Sequence, residues 1–137
     1  IEALSRGAAE SIFIENHAPA AKLIRQNLDS LGITTGATIL ATDAHRALEK
    51  LAQRHTPSTA PIHFIFVDPP YAAHDDYTRT LEFLATSNLL APTTQVIFEH
   101  HHKLQLPEQF ASLRRTRLLK QGDAALSFFL KGVSSGV

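Results

Sequence analysis

Four acids stand where a short apolar run ends: Glu15 after SIFI, Asp43 after ATILAT, Asp68 after FIFV, and Glu99 closing VIFE. In open α/β sheets, ligands bind beyond the carboxyl ends of the parallel strands, so an acid at that edge can face a bound molecule. A carboxylate at Glu15 can accept hydrogen bonds from both hydroxyls of a ribose. Asp43, one strand along, can accept from an exocyclic amine such as that of adenine. The same acids can instead cap the helices that follow them. Two acids at successive strand ends, followed by a third in an unusual setting, shift the balance toward a ligand edge.

The unusual setting is Asp68-Pro69-Pro70-Tyr71. Prolines end a strand well, because each fixes φ and the residue before it avoids the helical region. Strand termination requires neither the acid nor the aromatic that flank them. A planar amino group on a base is a poor nucleophile, since its lone pair is delocalised into the ring. The Asp68 carboxylate and the Pro69 carbonyl can accept both of its N–H bonds and direct the lone pair at an electrophile, while Tyr71 stacks on an extruded base. The rigid Pro69-Pro70 step keeps the acceptors in place, where misplacement by ~1 Å costs on the order of a hundredfold in rate.

Strand candidates alternate with amphipathic helix candidates, which predicts an α/β domain with a mainly parallel sheet. Residues 11–15 read as a strand. Asn16 is a candidate cap for a helix with Pro19 in its first turn, Ala21, Ile24, Leu28 and Leu31 on one stripe, and Gly32 as its stop. Residues 38–41 form a second strand, and Ala44, Ala47, Leu48 and Leu51 mark the next helix. Residues 55–61 form a surface loop. Residues 63–67 read as a third strand, apolar enough for helices to cover both faces of the sheet. Asp75 or Asp76 can cap a helix carrying Tyr77, Leu81 and Leu84, and residues 95–99 form a fourth parallel strand. Residues 113–120 and 124–131 flank QGD as an antiparallel hairpin, and residues 132–137 read as a tail.

The totals narrow the class. At 137 residues, 44% apolar and 19% charged, the chain is sized for one domain with a packed core. No apolar run reaches the ~18 residues of a membrane span. Thirteen basic residues balance 13 acidic ones, so an overall basic excess for nucleic-acid binding is lacking. Without cysteine there are no disulfides, thiolate ligands or thiol nucleophiles, which fits a cytoplasmic protein. Methionine is also absent, and the expectation is a fragment or a processed product.

Beyond DPPY, several segments occur in order: IEALSRGA (1–8), FIENHAPAAKLIRQNL (13–28), FVDPPY (66–71), VIFEHH (96–101) and QGDAALSFFLK (121–131). Together they resemble the bacterial 16S ribosomal RNA guanine-N2 methyltransferases, over nearly the whole chain. The resemblance implies a Rossmann-like methyltransferase domain over residues 1–131, with S-adenosylmethionine as cofactor and 16S ribosomal RNA or the assembling small ribosomal subunit as partner. It implies a cytoplasmic monomer without a membrane association. Residue by residue, it implies that Glu15 holds the cofactor ribose and Asp43 contacts its adenine, with Asn16 and Ala44 beside them. Asp68 and Pro69 orient the guanine amine, Tyr71 stacks on the base, and Pro70 and Glu99 line the substrate side. Alignment of amine, methyl and sulfur then supplies most of the catalysis, with Asp68 an orienting acceptor rather than a strong base.

Members of that family carry a first strand with a Gly-rich cofactor loop, and a basic segment before it, ahead of IEALSRGA. Loss of about three buried aliphatics from a central strand, at ~1.5–3 kcal/mol each, rivals the ~5–15 kcal/mol that holds a domain folded. Residues 1–137 alone are therefore expected to be unstable and inactive. Alternatives are a DNA adenine methylase, which shares DPPY but carries a target-recognition insertion, and a non-catalytic or decayed methyltransferase-like fragment. The EHHH run (99–102) is set aside as a metal site, because successive side chains on an extended segment alternate and no second ligand cluster is evident. LRRTR (113–117) can contact phosphate or form a solvated hairpin face. His17 and His45 follow the two cofactor-edge acids as candidate pocket rims.

Overall fold

A computed structural model describes residues 1–68 and 74–132, apart from the side chains of residues 74 and 76, and divides the chain into two compact units, Ile1–Gln53 and Arg54–Val137. The α/β fold expected from the alternating pattern is observed.

The first unit contains α1 (Glu2–Ser5), β1 (Ser11–Ile14), α2 (Ala18–Ser30), β2 (Ala37–Leu40) and most of α3 (Ala44–Arg54). β1 and β2 pair in parallel, from Ser11 opposite Ala37 to Ile14 opposite Leu40, and α2 is the crossover that such a pair requires. Ala21 and Leu28 on α2 and Ala47 and Leu48 on α3 are buried, as their spacing predicts. Leu31 leaves the expected stripe: it is the C-cap and is 62% exposed. The helix ends there because the Gly32 N–H reaches the Asp29 carbonyl (3.0 Å) and the Ile33 N–H reaches the Leu28 carbonyl (2.9 Å), the paired bonds of a Schellman motif. Gly36 sets the start of the sheet. Its φ is +78°, and a Cβ there would lie 2.6 Å from the Ala9 carbonyl oxygen, so only glycine lets residues 9–11 run beside it.

The second unit contains β3 (Phe64–Val67), α4 (His74–Thr86), β4 (Gln95–His101), β5 (Gln109–Phe110), β6 (Leu113–Gln121) and β7 (Ala124–Lys131). Its sheet has the order β3-β4-β7-β6-β5. β3 and β4 are parallel, and the expected hairpin joins them antiparallel through β7 on β4. The hairpin closes on Gly122-Asp123, with Gln121 opposite Ala124. A positive φ of 60° at Gly122 alone matches a type II′ turn, where glycine belongs at the first central position. The poor alternation of the first arm has a structural cause: a register shift between Arg115 and Arg117. Such a bulge moves the residues beyond it to the opposite face.

One face of this sheet is the core. Val96, Phe98 and His100 on β4 and Ala125, Ser127 and Phe129 on β7 are buried, together with Tyr77, Leu81 and Leu84 of α4. Phe98 meets Phe129 edge-on at 5.8 Å between ring centroids and lies 6.2 Å from Tyr77, separations typical of favourable aromatic pairs. His100 is a satisfied core histidine, with Nδ1–H donating to the His101 carbonyl (2.9 Å) and Nε2 against Ser127 Oγ (2.8 Å). The opposite face corrects the expectation for β3. Phe64 and Phe66 are 67% and 57% exposed, so the continuous apolar run there is not covered on both sides. Its composition reflects β propensity as well as burial.

Candidate active site

In the first unit, Glu15 directly follows β1, and its backbone N–H extends the ladder to the Leu40 carbonyl (3.1 Å). Its half-buried side chain then turns back, and Oε1 accepts the His17 N–H at 3.0 Å. α2 begins one residue later than Asn16 would cap it. His17 is the N-cap and makes no side-chain cap bond, while Glu15 satisfies the His17 N–H itself from two residues upstream. Pro19 sits in the first turn, where its missing N–H costs nothing. Among the described residues Glu15 makes no ion pair. Its second oxygen is therefore the acceptor a ribose diol would need.

Asp43 follows β2 as the N-cap of α3: Oδ1 accepts the Arg46 N–H at 3.0 Å, and Oδ2 lies 3.8 Å from Arg46 Nε. The helix-capping reading is thus realised at Asp43. Because the Arg46 contact is exposed and long, it holds Oδ2 only weakly, and that oxygen can still accept from an amine. Asn16 and Ala44 are exposed beside these two acids. These residues fit a nucleoside bound at the carboxyl edge of β1 and β2.

In the second unit, Asp68 follows β3, whose last residue Val67 pairs with Phe98 on β4, one residue before Glu99. Asp68 thus ends its strand, whereas β4, expected to stop at residue 99, runs on to His101 through its pairing with β7, so Glu99 lies within the strand, just past the end of the parallel pairing. Asp68 is exposed, yet the protein around it removes enough water to raise its carboxyl pKa above the ordinary aspartate value. Glu99 is half-buried, and the phenol of buried Tyr77 donates to its backbone carbonyl at 2.9 Å. Tyr77, expected only as a core residue, thus also holds β4 in place beside Asp68, a role visible only once α4 is laid on the sheet. Pro69, Pro70 and Tyr71 lie outside the described residues. α4 starts at His74, so Asp75 and Asp76 lie within its first turn rather than capping it.

The basic cluster separates. Arg114 and Arg117 are exposed, with the Arg117 guanidinium 5.7 Å above the Phe128 ring. Arg115 is turned inward, donating to the Leu106 carbonyl at 3.5 Å and lying 3.7 Å from Glu108. Among the described residues no helix is long and apolar enough to cross a membrane.

A helix-linked parallel strand pair in the first unit, and a parallel pair extended by an antiparallel hairpin in the second, make an α/β fold that solved structures share. A conserved hypothetical protein of Streptococcus pyogenes superposes with a TM-score of 0.79 at 27% identity, covering 95% of this chain and 76% of that one. The "Putative methyltransferase yhhF" of Escherichia coli gives 0.74 at 23% identity, over 97% and 68%. The curated "Putative rRNA methyltransferase YlbH" of Bacillus subtilis (strain 168) is 31% identical over 131 residues, 96% of this chain and 68% of that protein. The chain belongs to the family described as Conserved hypothetical protein 95, which matches residues 1–130.

Proposed function

We propose that residues 1–131 form part of an S-adenosylmethionine-dependent methyltransferase domain that methylates the exocyclic amine of a guanine in 16S ribosomal RNA. The observation that carries this reading is Asp68: a strand-end carboxylate before Pro69-Pro70-Tyr71, left exposed at the edge of β3. Family membership and the relationship to a protein named as an rRNA methyltransferase support the substrate class. When bound, the cofactor supplies an electrophilic methyl group on a sulfonium. Glu15 would accept from the ribose hydroxyls and Asp43 Oδ2 from the adenine amine. Ionised Asp68 and the Pro69 carbonyl would accept the two N–H bonds of the guanine, directing its lone pair along the transfer axis, with Tyr71 stacked on the base. Pro70 would keep that turn rigid, and Glu99 would line the substrate side. Such a domain would act in the cytoplasm as a monomer.

The test is to incubate the full-length parent protein with labelled S-adenosylmethionine and, separately, unmodified 16S ribosomal RNA, assembling 30S particles and duplex DNA. Label is expected in RNA or particles, and Asp68→Ala is expected to abolish transfer while retaining cofactor binding. Label confined to DNA overturns the ribosomal assignment. Unchanged turnover in Asp68→Ala overturns the role of Asp68.

A further inference from the structure

Strand alternation separates His100 from His101, the first buried and the second half-exposed, but it fails at the next residue. β4 ends at His101, and the chain turns. His102 therefore comes round onto the same side as His101, and their rings stack at 4.5 Å between centroids and 29° between planes. The hairpin then brings in a third group from far along the chain. Asp123, second residue of the β6–β7 turn, lies against this corner because His102 N–H donates to its carbonyl at 2.8 Å. One ligand atom from each of His101, His102 and Asp123 lies within 4.8 Å of the other two.

The hydrogen bonds show how these groups are prepared. His102 Nδ1 lies 3.1 Å from the Asp123 carbonyl oxygen. A carbonyl only accepts, so Nδ1 carries the hydrogen, and the lone pair of a neutral ring is at Nε2. This backbone-oriented imidazole is the arrangement that metal-binding histidines use to fix tautomer and ring direction. His101 is held differently, its Nδ1 accepting the Lys103 N–H at 3.1 Å. Ligation through either nitrogen of His101 would displace that bond: Nδ1 would give its lone pair to the metal, or Nε2 would do so with the proton moved to Nδ1. The Lys103 amide is thus a built-in reporter.

We propose that His101, His102 and Asp123 form a binding site for a borderline divalent cation of the zinc class, clamping the tip of the β6–β7 hairpin to the end of β4. Two imidazoles and one carboxylate are the donor set of such ions, and three protein ligands leave a position for water. Tetrahedral ligation with bonds of about 2.0–2.1 Å needs donors about 3.3 Å apart. The side chains are half-buried or exposed, so they can close that gap without disturbing the core.

The test titrates zinc into the protein against a chromophoric chelator, with amide NMR in parallel. One equivalent is expected to bind, shifting the Lys103 amide signal, and magnesium is not expected to compete. The chain has eight histidines, so the variants decide the location. His102→Ala and, as a milder change that keeps the turn, Asp123→Asn should each weaken binding at least about tenfold, no less than the loss of an outer-shell partner. Wild-type affinity in both variants, an unmoved Lys103 signal with zinc bound, or no binding at millimolar zinc would overturn the site.

Discussion

The two units use the same device, an apolar strand ending in an acid, on very different foundations. In Ile1–Gln53 two four-residue strands pair with each other, and among the described residues the buried apolar side chains are Ala21, Leu28, Ala47 and Leu48. In Arg54–Val137 a five-stranded sheet buries Phe98 and Phe129 against Tyr77, Leu81 and Leu84. The acids differ correspondingly. Glu15 and Asp43 each give one oxygen to a backbone N–H just downstream, so they contribute to the fold as well as to any ligand. Asp68 is the acid whose surroundings disfavour its charge. A group that costs the fold something to keep ionised is a stronger functional candidate than one that stabilises a helix.

The largest effect should come from the larger core. Phe98→Ala is expected to lose about 3–5 kcal/mol in denaturant unfolding, as large aromatic truncations do. A loss below about 1 kcal/mol would mean that the aromatic cluster is not what distinguishes the second unit. Smaller and local is Asp43→Ala, which removes the cap on the Arg46 N–H and should cost about 1 kcal/mol. Amide hydrogen exchange should quicken in the first turns of α3, with β4 and β7 unchanged. Equal quickening in β4 and β7 would erase the contrast between the units.

The smallest effect on stability is predicted at Asp68. A raised pKa means that the folded state holds the proton more tightly than the unfolded chain does. The cost of ionising Asp68 therefore builds as pH rises from the ordinary aspartate pKa, is complete above the raised value, and vanishes below the ordinary aspartate pKa. Asp68→Asn should be as stable as the parent or slightly more so at neutral pH, with the difference closing as pH falls through that window. A variant less stable at neutral pH would show that Asp68 supports the fold as Asp43 does. Methyl transfer by the parent should also decline as pH falls through the raised pKa, since a protonated Asp68 loses acceptor capacity.

Much of this was legible locally. The four parallel strands, the helix stripes at Ala21 and Leu28 and at Ala47 and Leu48, the stop at Gly32 and the Gly122 turn all follow from short-range periodicity and turn chemistry. Helix starts were less legible, because neighbouring residues can each serve as the cap: α2 starts one residue beyond the one Asn16 would cap, with His17 as N-cap. The exposure of Phe64 and Phe66 escaped periodicity altogether, since an apolar run carries no mark of whether a face is covered.

What the amino-acid order determined unaided is the set of strands, helices and turns and the placement of Glu15, Asp43 and Asp68 where strands end, because backbone geometry and proline sterics act over a few residues. The tertiary structure decided which acid is spent on a helix and which is left with a raised pKa, that Tyr77 braces the Glu99 backbone, and that Asp123 meets His101 and His102. Those relations depend on desolvation and on groups brought together by sheet register across long stretches of chain, which no local pattern encodes.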